Sequence, residues 1–197
     1  ENLELIRAAA SRVLERKARL ANRAPLALPE APADRIAASA LTWCGDVPAP
    51  LAKGQSVAVV VFDDDGIPGL GHELVNALTE AGLDVRPAAL GTSITRVAAS
   101  RFESLTADVE RVVAVVGCRV RAWKGRAGLC KPLKAVLADL PPGRSTVVGL
   151  CGPYSLQGVV PAGVPVLLAY GDEACCQLAA AKALMGGEAN GRLPVPA

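Results

Sequence analysis

Three consecutive carboxylates follow the first strongly apolar run of the chain. Asp63, Asp64 and Asp65 come directly after the β-branched and apolar residues 57–62. Carboxylates that follow a buried strand can hold Mg²⁺ and take part in phosphoryl transfer. The later Asp172 could supply a second acidic group. The pattern therefore admits metal-assisted phosphoryl chemistry, and a plain acidic turn is the simpler interpretation.

The phosphoryl interpretation meets two departures from the pattern it requires. An apolar strand ending in Asp-x-Asp-Gly resembles the opening of haloacid-dehalogenase-type phosphatases, in which two carboxylates hold the metal and one attacks phosphorus. That family expects Thr or Val after the Gly, where this chain has Ile67. It also expects Ser or Thr at the end of a middle strand, where this chain has Gly117 and Cys118. We therefore expect an acidic turn, with phosphatase chemistry as the alternative.

A glycine-rich link leads from the same strand into a helix. Gly66, Gly69 and Gly71 reverse the G-x-G-x-x-G order that lets a pyrophosphate approach the backbone. No acidic residue at the end of the next predicted strand is placed to hold a ribose. The glycines therefore indicate a tight turn, and we expect no cofactor.

Two single residues have a structural and a chemical interpretation. Asp172 precedes an Ala-rich helix, which favours an N-cap whose carboxylate accepts backbone N–H bonds over a catalytic role. His72 is the only histidine and lies near the start of a predicted helix. We expect it to be a surface or capping residue and not a general base.

The segment 118–131, here called the basic segment, carries cations and no carboxylate. It follows a predicted strand on the edge where parallel sheets place their ligand loops. The segment could contact an anionic group or an acidic partner surface, with Trp123 as an apolar anchor. A solvated basic loop is an equally good interpretation. The candidates for contact with substrate or partner are Arg119, Arg121, Trp123, Lys124 and Arg126.

Alternating strands and helices must position these groups. Apolar runs predict strands over 57–62, 83–88, 111–116, 146–150 and 164–170. Helical spacing predicts helices over 2–22, 33–40, 69–81, 129–140 and 173–185. The alternation predicts an α/β fold: a doubly wound, mostly parallel sheet with helices on both faces, an α/β sandwich.

Composition limits the partners. The 197 residues are 51% hydrophobic and have a formal net charge of +2, which gives no reason to expect nucleic acid or an anionic membrane. No apolar stretch is long enough to span a bilayer. Six cysteines without a C-x-x-C pair, beside one histidine, make a metal site unexpected. Thiols inside apolar runs favour a reduced, cytoplasmic protein, although a secreted parent stays open.

The last third of the chain carries an ordered set of motifs. Its pieces read Val147-Val-Gly-Leu-Cys-Gly-Pro-Tyr154, then Pro165-Val-Leu-Leu-Ala-Tyr-Gly-Asp172, then the helix 174–185, then Gly186-Gly-Glu-Ala-Asn-Gly-Arg-Leu-Pro-Val195. Together they resemble the "G-x-PY", "P-x-x-x-A-Y-G-D", "A-A-x-A-L-x-G" and "G-E-x-x-x-G-R-L-P-V" segments of the C-terminal α/β domain of family 3 glycoside hydrolases. Upstream the resemblance is looser and includes the helix that ends at residues 16–20 and the stretch 37–42.

The resemblance implies a division into 1–32 and 33–197. Residues 1–32 would be a linking helix and Pro-rich linker that follow an upstream catalytic barrel, and 33–197 the α/β sandwich domain. A barrel of roughly 250 residues does not fit into the remaining sequence. We therefore expect the apolar stripe of the first helix, at Leu3, Ile6, Val13 and Leu14, to be partly exposed or paired with another copy.

The resemblance also implies a role without catalytic residues. Family 3 enzymes hydrolyse β-glycosides with retention, using a nucleophilic carboxylate on the barrel and a second group as acid/base. In the β-glucosidase branch the second domain donates a Glu from the segment that here is basic. The sequence thus favours the β-N-acetylhexosaminidase-like branch, with the barrel as partner and carbohydrate contacted only indirectly. An independent small α/β enzyme, phosphatase-like or nucleotide-binding, is the alternative.

Overall fold

The computed structural model describes residues 2–21, 33–91, 96–121, 125–126 and 128–193. The chain divides into two compact units, Glu1–Ala31 and Pro32–Ala197. The first unit contains α1 (Asn2–Ala21), as predicted. Ile6, Val13 and Leu14 are 65%, 55% and 65% exposed, so the part of the apolar stripe whose side chains are described lies open, as expected. The side chain of Leu3 lies outside the described ones.

The second unit alternates strands and helices. Its elements are α2 (Ala33–Ala40), β1 (Thr42–Cys44), β2 (Ser56–Asp63), α3 (His72–Glu80), β3 (Asp84–Leu90), α4 (Arg96–Ala107), β4 (Arg111–Gly117), α5 (Lys131–Ala138), β5 (Ser145–Gly149), β6 (Val166–Leu168) and α6 (Ala174–Leu184). A short 3₁₀ turn covers Pro153–Ser155. All five predicted strands and all five predicted helices are present.

The sheet has the strand order β1-β6-β5-β4-β2-β3. All neighbouring pairs run parallel except β1 with β6. The predicted doubly wound, mostly parallel sheet is thereby confirmed. In the β2–β4 register Asp63 lies opposite Gly117, so the residues that follow these two strands emerge side by side.

Alternate residues of the central strands supply two cores, one on each face of the sheet. Val57, Val59 and Val61 of β2 join one core, against α2, α3 and α6. Ala58, Val60 and Phe62 join the other, against α4 and α5. Because β2 and β4 are buried on both faces, the central residues of each form an apolar run with no polar alternation.

The structure shortens two predicted elements. Helix α3 begins at His72 and not at residue 69, because Gly69 and Gly71 have φ of +72° and +78°, outside the helical region. Strand β6 covers three residues, not the predicted 164–170. Pro165 cannot donate to a ladder, and Tyr170 has φ of +62°, which ends the extended backbone.

Two elements were not predicted. Helix α4 lies in a Ser- and Thr-rich stretch with weak helix propensity, and packing of its Phe102 in the second core compensates for that weakness. Strand β1 has three residues and exists through its antiparallel pairing with β6, in which Thr42 lies opposite Leu168. A partner more than a hundred residues away leaves no local sequence signal.

Candidate functional site

The topology brings the acidic turn and the basic segment to one place. Strand β3 pairs with one edge of β2, and the next strand along the chain, β4, pairs with the opposite edge. The order of the strands therefore reverses direction between β2 and β4. In open parallel sheets this reversal leaves a crevice at the carboxyl ends of the two strands, and ligands bind there. Asp63, Asp64 and Asp65, here called the acidic turn, leave β2 at this point, and the basic segment leaves β4 beside it.

Asp63 stabilises the turn that contains it. Its Oδ1 accepts a hydrogen bond from the backbone N–H of Asp65 at 3.0 Å, and its Oδ2 accepts one from Ile67 at 2.8 Å. Both carboxylate oxygens are therefore occupied by amides of the following loop, the local capping pattern that favours Asp in turns. This arrangement supports the acidic turn over a phosphoryl nucleophile.

The glycine-rich link is a tight turn, as its spacing predicted. Gly66, Gly69 and Gly71 all have positive φ, between +64° and +78°. At Gly71 a Cβ would also come within 2.6 Å of a methyl group of Val61. Both the backbone conformation and the close approach to β2 exclude larger residues there.

Asp64 is the most enclosed charge of the site. Its side chain has no exposed surface, and Nη2 of Arg126 lies 3.0 Å from each of its two oxygens. The backbone N–H of Cys130 donates to Oδ1 at 3.2 Å. The hydrogen bond to Asp64 raises the pKa of Arg126 above its ordinary value. A buried carboxylate thus has a cation and an amide as partners, as burial of a charge requires.

Asp65 and Asp172 together hold the start of the basic segment. Oδ2 of Asp65 accepts a hydrogen bond from the backbone N–H of Arg119 at 2.8 Å. The guanidinium of Arg119 donates from Nε and Nη2 to Oδ2 of Asp172, at 3.0 and 2.5 Å. The expected N-cap role of Asp172 is therefore wrong. Helix α6 is preceded by Glu173, which makes no side-chain cap, and the arginine takes the Asp172 carboxylate because a cation is the stronger partner.

Gln177 of α6 connects this helix to α3 beside the site, and sequence reasoning missed it. Its Nε2 donates to the carbonyl oxygens of Asp172 and Gly69, at 2.8 and 3.2 Å, and its Oε1 accepts from the backbone N–H of Glu73 at 3.2 Å. It is buried. The sequence did contain a signal for this role: Gln177 is the single amide side chain in a helix rich in Ala, Cys and Leu, and a buried amide needs hydrogen-bond partners.

The predicted contact residues divide into three groups. Arg119 and Arg126 are brought together with Asp172 and Asp64, at opposite ends of the stretch 119–126. Arg121 is half-buried between them. Trp123 and Lys124 lie outside the described residues. Contact of this set with substrate or with another domain stays a prediction.

The remaining candidates add little chemistry. His72 is exposed at the first position of α3, as expected of a surface residue. One group of potential metal ligands occurs among the described residues: Asp64, Asp65 and Cys118, with ligand atoms within 4.8 Å of one another. The guanidinium of Arg126 already balances the charge of Asp64 in that group.

None of the six cysteines, all within the described ranges, forms a disulfide. Burial raises the pKa of the Cys151 thiol to about 12, with a smaller contribution from Cys118 nearby. It raises the pKa of Cys176 to about 11, beside Cys175. Raised pKa values describe inert, protonated thiols and not nucleophiles. Across the described helices, none combines the length and apolar character needed to cross a bilayer.

No family model matches the chain, and no curated protein matches it. Among solved structures, a glycoside hydrolase family 3 β-N-acetylglucosaminidase from Paenibacillus sp. str. FPU-7 superposes with a TM-score of 0.64 at 23% identity, over 83% of this chain and 31% of its own. The β-glucoside phosphorylase BglX gives a TM-score of 0.62 at 19% identity, over 90% of this chain and 35% of its own.

A third likeness is to a fungal multi-domain family 3 β-N-acetylglucosaminidase, with a TM-score of 0.57 at 12% identity over 81% of this chain and 18% of the fungal one. The chain thus spans about a third of the first two proteins and less of the third. At these identities the likeness shows a shared fold, and it agrees with the resemblance drawn from the closing motifs. The chain has the fold of a domain that occurs in family 3 glycoside hydrolases.

Proposed function

We propose that this chain is the non-catalytic C-terminal domain of a family 3 glycoside hydrolase of the β-N-acetylhexosaminidase-like branch, packing on and supporting a catalytic barrel upstream in the same polypeptide. Two independent observations support the family. The closing motifs occur in the family's order over about fifty residues, and the fold is shared with enzymes about three times as long.

The observation that carries the non-catalytic role is the state of the carboxylates at the sheet edge. The basic segment contains no Asp or Glu. The fold brings three carboxylates to it: Asp64 and Asp172 are each paired with an arginine of that segment, and Asp65 accepts a hydrogen bond from the backbone N–H of Arg119. These carboxylates are therefore engaged by the chain's own donors, and the segment that would carry a general acid in the β-glucosidase branch contains none.

Retaining hydrolysis needs two reactive groups about 5 Å apart on either side of the glycosidic bond. On this proposal the nucleophile lies on the barrel, and the second group also lies there, because the segment that would carry it in the β-glucosidase branch is basic. The sandwich then contributes surface and rigidity: a sheet with two buried cores, whose edge presents the basic segment.

The phosphatase-like or nucleotide-binding alternative gains no support from the geometry. Both carboxylate oxygens of Asp63 accept hydrogen bonds from backbone amides of the turn. The carboxylate of Asp64 is paired with the guanidinium of Arg126. The crevice at the strand reversal is occupied by the chain's own ion pairs.

The test compares the purified 197-residue chain with a version that also carries the upstream barrel. Both are assayed with chromogenic aryl β-N-acetylglucosaminides and β-glucosides. We expect turnover from the longer version only, with the chain alone at the background rate, because loss of a nucleophile removes several orders of magnitude in rate. Far-ultraviolet circular dichroism of the chain alone establishes that it is folded.

Comparable turnover by the two versions would refute both the domain assignment and the division of labour.

In the longer version, replacement of Arg121 by Ala asks what the basic segment contributes, with Arg86→Ala on the outer strand β3 as the matched control. A raised KM with unchanged kcat would place the segment at the substrate. Unchanged kinetics would leave it with a supporting role.

A further inference from the structure

The stretch 119–126 is held at both ends by carboxylates from other elements. At its start, Asp65 accepts a hydrogen bond from the backbone N–H of Arg119, and Asp172 pairs with the Arg119 guanidinium. At its end, Asp64 pairs with Arg126. These carboxylates follow β2 and β6, strands that are not neighbours in the sheet. Arg119 and Arg126, the two ends of the stretch, are therefore each bound to the sheet edge.

The two ion pairs differ in their access to solvent. The Asp172 side chain is 13% exposed and that of Arg119 is 49% exposed, so water can replace part of that interaction. The Asp64 side chain is completely buried. Its loss would leave the Arg126 guanidinium and the Cys130 N–H without the acceptor that they share. Arg126 is 41% exposed and could turn to water, so the segment would lose the contact that holds this end to the acidic turn.

We propose that Asp64 is a positioning residue for the basic segment: by holding Arg126 and the Cys130 amide, it fixes this end of the segment to the sheet edge. The identity of the surface that the segment faces rests on the proposed function. The anchoring itself concerns this chain alone.

The experiment measures hydrogen exchange, resolved by peptide, in the purified 197-residue chain and in Asp64→Asn. Asn keeps the size of the side chain and removes its charge. We expect exchange across 118–131 to rise about tenfold or more, since loss of a charge-assisted buried contact raises the population of the locally open state. Exchange in β2, β4 and β5 should change by less than about twofold.

Asp84→Asn is the matched control. Asp84 pairs with Arg86 at 3.7 Å on the outer strand β3, with both side chains about half exposed, so the same chemical change removes a solvated ion pair. We expect no change in exchange at 118–131 in this variant.

Two outcomes would overturn the proposal. The first is unchanged exchange at 118–131 in Asp64→Asn. The second is an equal increase in the segment and in the central strands, which would make Asp64 a general stabiliser of the fold. If Asp64→Asn does not fold, Arg126→Gln decides, because Arg126 is 41% exposed and its loss removes the same contact from the segment's side. Arg126→Lys, which keeps the charge, should restore part of the protection.

Failure of the proposed function would instead appear in the glycosidase comparison, which the exchange measurement does not use.

Discussion

Gly191, within the closing Gly-Arg-Leu-Pro-Val motif, lies directly against the backbone that leads into β1. Its N–H donates to the carbonyl oxygen of Leu41 at 2.7 Å. A Cβ on this residue would lie 2.3 Å from the carbonyl oxygen of Ala40, 2.5 Å from Oγ1 of Thr42 and 2.6 Å from the Leu41 oxygen. Its φ lies outside the left-handed region, so Gly191→Ala tests the close approach without a conformational penalty.

The magnitude follows from the distances. Carbon–oxygen contacts in proteins are about 3.3 Å or longer. The closing segment would therefore have to withdraw by roughly 1 Å, which would stretch the hydrogen bond from Gly191 beyond its useful range. Losing that bond costs about 1 kcal/mol, and overpacking against backbone costs a further ~1–3 kcal/mol. The sum of about 2–4 kcal/mol corresponds to a Tm roughly 5–15 °C lower in a chain of this size.

Thermal unfolding followed by circular dichroism measures this effect, and Gly152→Ala is the matched control. Gly152 belongs to another of the shared motifs and has φ of −67° and ψ of 150°. A Cβ added there would meet nothing within 4 Å. Alanine at this position should be neutral or stabilising by less than about 1 kcal/mol. A Gly191→Ala protein whose Tm lies within about 1 °C of the parent would refute the close-approach explanation of this motif.

Four further predictions concern three single side chains. Cys151, whose pKa burial raises to about 12, should resist alkylation at pH 8 until the chain unfolds, as mass spectrometry of labelled peptides would show. Because the pKa is raised by folding, the contribution of this protonated thiol to stability is complete below about pH 9 and is lost as the pH rises towards 12. The urea midpoint should therefore fall more steeply above about pH 9 in the parent than in Cys151→Ala, and parallel curves would contradict this. Asp172→Asn should cost at most about 1 kcal/mol in urea unfolding, because Arg119 is half exposed, and a larger loss would mean that the pair is buried in solution. Tyr170→Phe removes a hydroxyl that donates to Oγ1 of Thr42 at 3.0 Å and should cost about 1 kcal/mol, with an unchanged midpoint as the contrary result.

The fold was largely predictable because its central strands are buried on both faces. Strand β4 has Val112, Ala114 and Val116 in one core and Val113 and Val115 in the other, so its sequence is an unbroken apolar run. Outer elements gave weaker signals. Strand β3 carries Pro87 in its interior, which is tolerated because the strand lies at the sheet edge, and its pattern is mixed.

The chemical identity of the site was visible in the residues, but their pairings were not. The acidic turn and the basic segment are both plain in the sequence. Asp64 and Arg126 are sixty-two residues apart, and Arg119 and Asp172 fifty-three. Which carboxylate meets which arginine depends on the strand order and on the β2–β4 register, which place Asp63 opposite Gly117.

By itself the sequence determined the fold class, the tight turn after β2 and the resemblance carried by the closing motifs, since each depends on periodicity, on backbone conformation or on short-range order along the chain. Only the tertiary structure decided that Asp172 binds Arg119 and does not cap α6, that Asp64 is buried beneath Arg126, and that Gln177 joins α3 to α6. The physical reason is that charge pairing and burial are set by distances between segments remote in the chain, and a linear pattern contains no such distances.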